Sequence, residues 1–160
     1  KSGKNISAKD ALDYIAGYTI FNDGSVRGHG PGNTLAIMKN SDKTGPLGPE
    51  LVTPDELPLG CDGLRIITRR NGKIVQDDTT SGMFWKVPEI IEMTSSYMSL
   101  EAGDVITTGT CGGTVIELAV KQGTPFDDET LPWVQPGEVI ECEIEGIGVL
   151  RNPVIGEIQR

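Results

Sequence analysis

The sequence predicts a mainly β fold with short helices, and three features carry that expectation. Among 160 residues, 21 are Gly and 10 are Pro, more than a helical protein needs and suited to many turns between short strands. Asn71-Gly72 stands between two β-prone runs, Leu64 to Arg70 and Lys73 to Gln76, the strongest short-range hairpin signal. Ile140, Cys142 and Ile144 alternate with Glu141, Glu143 and Glu145, the period-two mark of a strand with one wet face.

Taken in chain order, the first element is a short helix. Ser7 is placed to cap it with Asp10 in a box-like position, Ala8, Ala11, Leu12, Ile15 and Ala16 follow at helical spacing, and Gly17 ends it. Tyr18 to Phe21 reads as a strand, broken by Asn22-Asp23-Gly24-Ser25, and Arg27 to Asn33 reads as a Gly-rich loop. After the hairpin, Pro88 to Met98 predicts a second helix. Ile90, Ile91, Met93, Tyr97 and Met98 form its apolar face, with Pro88 in the first turn. Val105 to Thr108 reads as a strand running into Gly109-Thr110-Cys111-Gly112-Gly113. Gln122 to Gly137 reads as a surface loop, Glu138 to Leu150 as a strand with a bend at Gly146 and Gly148, and Val149 to Val154 continues beyond it.

Composition narrows the function classes. Subtracting 23 acidic from 14 basic residues leaves a net charge of −9. Nucleic-acid and anionic-membrane partners are therefore not expected, because either would meet a like-charged surface. The 37% apolar and 23% charged content suits a globular chain. No apolar run approaches the roughly 18 residues of a membrane span. Cys61, Cys111 and Cys142 have neither zinc-ligand nor CxxC spacing and read as reduced thiols in a cytoplasmic protein. Residues 1–160 are expected to form a single domain, and a chain opening at Lys1 on a helix reads as the later part of a longer polypeptide.

Several residues invite chemistry. Asp23, at a strand corner, is either an Asx-turn residue or a carboxylate ligand for a hard cation such as Mg²⁺ or Mn²⁺. Lys39 is either solvated or able to hold a substrate carboxylate or an enolate oxygen. The Gly109–Gly113 turn offers N–H groups and the Thr110 hydroxyl as an anion nest, but matches neither GxxxxGK[ST] nor GxGxxG. His29, the single histidine, is read as a solvated loop residue or a lid contact. Glu141, Glu143 and Glu145 are read as the charged face of a solvated edge strand rather than a metal cluster.

In this order the blocks resemble the fumarylacetoacetate hydrolase family. Residues 17–27, Gly-Tyr-Thr-Ile-Phe-Asn-Asp-Gly-Ser-Val-Arg, are similar to its G-Y-x-x-x-N-D-x-S-x-R segment. Residues 39–49 match K-x-x-D-x-x-x-P-x-G-P position for position. Asn71-Gly72 with Gln76 and Thr80-Ser81 resembles its N-G-x-x-x-Q hairpin and following T-S. Residues 100–110 are similar to L-x-x-G-D-[VI]-I-x-T-G-T, and residues 136–148 to its closing P-G-[DE] and V-E-I-E-G-I-G blocks.

The resemblance implies a mixed β-sandwich roll that binds Mg²⁺ or Mn²⁺, a 2-oxo acid or enol substrate, and a homodimer. The implied chemistry is C–C hydrolysis, decarboxylation or isomerisation, as in aromatic catabolism, with the isomerase/decarboxylase branch favoured by family habit. By matching position, Asp23 would be a metal ligand, Lys39 and Arg27 would stabilise charge on the substrate, and Thr110 would bind its carboxylate. Two departures stand out. The family's E-x-E carboxylates precede the N-D segment, whereas the seventeen residues before Tyr18 contain none. Relatives read S-x-R-D-x-Q, whereas Gly28, His29 and Gly30 follow Arg27 here. They motivate an alternative of another class: a non-catalytic small-molecule-binding or dimerisation domain that kept the scaffold without the full metal site.

Overall fold

The computed structural model describes residues 1–27, 38–40, 42–126 and 128–156. The architecture is mainly β, as expected, with two sheets. Strand β1 (Tyr18–Phe21) pairs antiparallel with β2 (Leu47–Val52). Strands β3 (Arg65–Arg70), β4 (Lys73–Thr79), β5 (Val139–Ile144) and β6 (Gly148–Pro153) form a second sheet in the order β4-β3-β5-β6. Helix α1 spans Val87–Tyr97 and α2 spans Val115–Gln122.

The hairpin forms where Asn71-Gly72 predicts it. Asn71 has φ 51° and Gly72 φ 78°, the paired positive values that let a two-residue turn follow strand twist. Strand β4 runs past Gln76 to Thr79, where the buried Thr80 ends it. The Thr80 hydroxyl accepts from Leu64 N–H at 2.9 Å and donates to the Cys61 carbonyl, tying the two hairpin ends together. Helix α1 begins with Pro88 in its first turn, while Glu89 Oε2 accepts from Lys86 N–H at 2.7 Å.

Five expectations change. The helix after Ser7 is only a 3₁₀ turn, Ala11–Tyr14. Asp10 N–H bonds Ser7 O at 2.9 Å and Asp13 N–H bonds Asp10 O at 3.2 Å, an i→i+3 pattern that stops at the extended Ile15. Val105 to Thr108 forms no strand: among the described residues it has no ladder partner. Strand β2 is an addition to the elements read from the sequence; Pro49 removes an amide donor, but β2 pairs on one side only, where a missing donor is tolerated. Helix α2 is also an addition. Its signals are Thr114, whose side chain accepts from Glu117 N–H at 3.1 Å, and Gly123, which ends it in the left-handed region at φ 65°.

The fifth change concerns the glutamates. Strand β5 is not an edge: it pairs with β3 on one side and β6 on the other. Glu143 pairs with Arg69 and Glu141 with Arg151, so these charges form cross-strand ion pairs on the sheet's outer face. Ile140, Cys142 and Ile144 occupy the other face with Ile66, Thr68, Gln76, Asp78 and Asn152.

Two apolar clusters hold these elements in place. Ile20, Val52, Leu57, Cys61, Leu64, Ile147 and Leu150 seal the small sheet against β6 and the turn before it. Ile6, Ala11, Ile91 and Leu100 join the amino-terminal segment to α1. Ser95, fully buried, completes the second: its Oγ accepts from Ile6 N–H at 2.9 Å and donates to Glu92 O at 3.1 Å.

Candidate functional site

Asp23 sits where β1 gives way to a turn, and three bonds set that corner. Asn22 N–H donates to Pro46 O at 3.0 Å, Gly24 N–H to Asn22 O at 2.8 Å, and Asn22 Nδ2 to Asn152 Oδ1 on β6 at 3.1 Å. Val26 N–H bonds Met38 O at 3.0 Å, which draws Lys39 alongside. The Lys39 ammonium then donates to Asp23 Oδ2 in an ion pair whose side chains are 31% and 38% exposed. Asp23 Oδ2 thus meets the ammonium of a residue sixteen positions away. Arg27 bonds the residue before Lys39, its Nη1 lying 3.1 Å from Met38 Sδ.

Thr110 lies on a second wall. The Gly109–Gly113 turn is seated on the inner face of β4, where Gln76 Nε2 donates to Cys111 O at 3.2 Å and Gly112 O at 3.1 Å. The nest expectation needs correction. Gly112 N–H already donates to Asp78 Oδ2 at 3.0 Å and Gly113 N–H to Glu117 Oε2 at 2.6 Å. These two donors are satisfied by the protein's own carboxylates, while the Thr110 side chain is exposed. Its bond to Cys111 O, at 3.5 Å, is long.

One continuous trough of about 2930 Å³ runs over the inner sheet face and is lined by Asp23, Arg27, Lys39, Gln76 and Thr110. It far exceeds the roughly 300–1,000 Å³ of a pocket shaped for one small molecule, so the side chains rather than the volume point to a ligand. The structure thus brings Asp23 and Lys39 together and places Arg27 and Thr110 on the lining of the same trough. Among the described residues no hydrogen bond links Thr110 to those three. His29 lies outside the described residues.

The electrostatics argue against a thiolate or phenolate nucleophile. Burial pushes the Cys61 thiol up to about 11 and also raises Cys111 and Cys142, so these free cysteines stay protonated at neutral pH. Burial, with Cys61 nearby, raises the Tyr18 phenol to about 12. A dication is not fitted by the described residues alone. They contain no group of three or more His, Cys, Asp or Glu side chains able to hold one, and a single carboxylate falls short of the oxygen ligands Mg²⁺ requires.

Comparison with known proteins places this arrangement. A family model described as fumarylacetoacetate (FAA) hydrolase C-terminal matches residues 1–155. The chain belongs to the fumarylacetoacetate hydrolase family. An uncharacterised protein of Staphylococcus saprophyticus is 39% identical over 153 residues, covering 95% of this chain and 47% of the relative. The chain thus spans about half the length of the curated relatives it matches. The fumarylacetoacetate hydrolase of Exiguobacterium antarcticum superposes with TM-score 0.80 at 32% identity, over 98% of this chain and 53% of that one. A 2-hydroxyhepta-2,4-diene-1,7-dioate isomerase of Mycobacterium marinum superposes with TM-score 0.77 at 34% identity, over 97% and 54%. Structural neighbours of this family member therefore include both a hydrolase and an isomerase. No helix among the described residues is long and apolar enough to cross a membrane.

Sequence reasoning singles out Asp23, Arg27, Lys39 and Thr110 and misses the residues that hold them. Asn152, Asp78 and Glu117 carry no family signal. Only Glu117 is locally legible, as the fourth residue of Thr114-Val-Ile-Glu117, a helix-capping pattern.

Proposed function

We propose that this chain supplies the substrate-holding walls of an enzyme that acts on a 2-oxo acid or its enol by isomerisation, decarboxylation or C–C hydrolysis. The observation that carries the reading is the Asp23–Lys39 pair on the trough, with Arg27 bonded to Met38 beside Lys39, built from two sequence blocks that match the family. A bond to the carbon next to the oxo group breaks, and its electron pair moves onto the oxo oxygen. That bond is to hydrogen in isomerisation, to a carboxylate that leaves as CO₂ in decarboxylation, or to an acyl group that has first added water and leaves as a carboxylic acid in hydrolysis. The Lys39 ammonium and Arg27 guanidinium lower the cost of that enolate charge, and a proton returned to carbon completes the reaction. Thr110 donates its hydroxyl to the substrate carboxylate and fixes its orientation.

Asp23 would supply one carboxylate to a Mg²⁺ or Mn²⁺ ion, whose remaining ligands would lie outside the described residues. When bound, such an ion adds positive charge beside the oxo acid. Residues 1–160 form one domain of a longer, cytoplasmic, homodimeric protein in this reading. The exposed Phe84 and Tyr97, 87% and 82% accessible, offer apolar surface for a second copy.

The test is turnover of 2-oxo acids by the full-length protein with Mn²⁺, compared with Asp23→Ala. Loss of activity with the fold retained is expected, and wild-type rates would remove Asp23 from the mechanism. The absence of a described metal-ligand cluster favours one alternative, a non-catalytic binding domain on the same scaffold. Calorimetric titration with Mg²⁺ and oxalate separates the two, because a scaffold without the ion site gives no metal-dependent heat.

A further inference from the structure

We infer that Asp78 and Glu117 are positioning residues for Thr110: they clamp the Gly112 and Gly113 amides and so hold the Thr110 hydroxyl toward the trough. The inference rests on the reading of Thr110 as the substrate-carboxylate contact and deepens it. Each oxygen of both carboxylates already has a partner within the protein. Asp78 Oδ1 accepts from Thr79 N–H at 2.8 Å while Oδ2 takes Gly112 N–H at 3.0 Å. Glu117 Oε1 pairs with Lys121 while Oε2 takes Gly113 N–H at 2.6 Å. Neither carboxylate bonds Thr110 directly, so their action on it runs through the turn.

The seat of the turn is equally constrained. A Cβ on Gly113, whose φ is +92°, would meet the Val75 carbonyl oxygen at 3.0 Å. A Cβ on Gly112 would lie 3.5 Å from Asp78 Oδ2 and 3.6 Å from Glu117 Oε2. With Gln76 holding the Cys111 and Gly112 carbonyls from β4, the turn is gripped on both its acceptors and its donors. The grip comes from two elements, β4 and the first turn of α2. A pre-held hydroxyl loses little conformational freedom when a carboxylate binds it, the advantage that positioning gives.

The experiment uses the full-length protein and two readouts. The first is amide hydrogen exchange of the segment around residues 110–113, which needs neither metal nor substrate. Asp78→Asn keeps one acceptor but presents an NH₂ to the other amide, and Glu117→Ala removes both acceptors. Each is expected to speed exchange by about tenfold, while Glu117→Gln, which keeps an acceptor for Gly113 N–H, stays near wild type. The second readout is Mn²⁺-dependent binding of oxalate. Asp78→Asn and Glu117→Ala are expected to weaken it by about tenfold and leave Mn²⁺ binding alone unchanged. On a Thr110→Val background Asp78→Asn should add nothing.

Unchanged exchange in both variants would overturn the clamp. Additive losses on the Thr110→Val background would overturn its action through Thr110. Failure of wild type to bind oxalate with Mn²⁺ would instead overturn the functional reading and the ligand half of this inference, while the exchange data would still decide the clamp.

Discussion

Asp23 and Thr110 line one trough but are held in different ways. The Asp23 corner depends on apolar burial: Ile20, 2% exposed, anchors β1 in the main cluster, and Asn22 reaches one side chain, Asn152, across to β6. The Thr110 turn has little apolar support and depends instead on Gln76, Asp78 and Glu117 gripping its backbone. Non-directional burial places a strand but leaves the last side chain to find its partner, here Lys39. Directional hydrogen bonds place individual atoms. The two walls should therefore fail under different insults.

The largest effect should come from the ion pair itself. Lys39→Met in the full-length protein is expected to lower kcat for a 2-oxo acid by about 10²–10³-fold with an unchanged far-UV spectrum, the scale of losing one charge-stabilising donor. Next is the burial that sets the corner. Ile20→Ala should destabilise by about 2–5 kcal/mol in urea unfolding, while hydrogen exchange at residues 110–113 stays as in wild type until global unfolding. If that turn loosened in step, the two walls would not be independent. Ser95→Ala, distant from both, should cost about 1–3 kcal/mol because Ile6 N–H is left buried without an acceptor. It should leave oxalate affinity unchanged.

Asn152→Ala should cost less, about 1 kcal/mol, and act on KM more than on thermal stability, because it frees only Asn22 at the corner. The smallest effect to detect is a pH response confined to the Thr110 wall. The Gly112 and Thr79 amides hold Asp78 below the usual carboxylate range, and Lys121 followed by the Gly113 amide does the same for Glu117. Depressed carboxylates stabilise the clamp above their unfolded pKa, and that contribution is lost as pH falls through the lower folded value. NMR shifts of the Gly112 and Gly113 amides should thus stay flat down to about pH 4 and move only below it. A midpoint above the ordinary range would contradict the hydrogen bonding described.

Most of the fold is legible in the sequence because its signals are local. Asn71-Gly72 specifies a turn through its own backbone, Tyr18 to Phe21 is a β-prone run stopped by turn formers, and Pro88 opens a helix at its first turn. The misses are elements whose outcome depends on neighbours. Pro49 argues against a strand until β2 is known to pair on one side only, and Val105 to Thr108 has strand composition but no partner among the described residues. Helix α2 is a different kind of miss, since Thr114, Glu117 and Gly123 do mark its ends.

By itself, the sequence determined the family, the mainly β architecture and the candidates Asp23, Arg27, Lys39 and Thr110, because spacing and turn chemistry are properties of short stretches. Tertiary structure alone decided that Glu141 and Glu143 face arginines in the middle of a sheet. It alone decided that Asp23 meets Lys39 sixteen residues away, and that Asp78 and Glu117 occupy the amides an anion would have used. The physical reason is that a side chain's partner is set by strand order and loop closure. Those minimise free energy over the whole chain, and no short window contains that minimum.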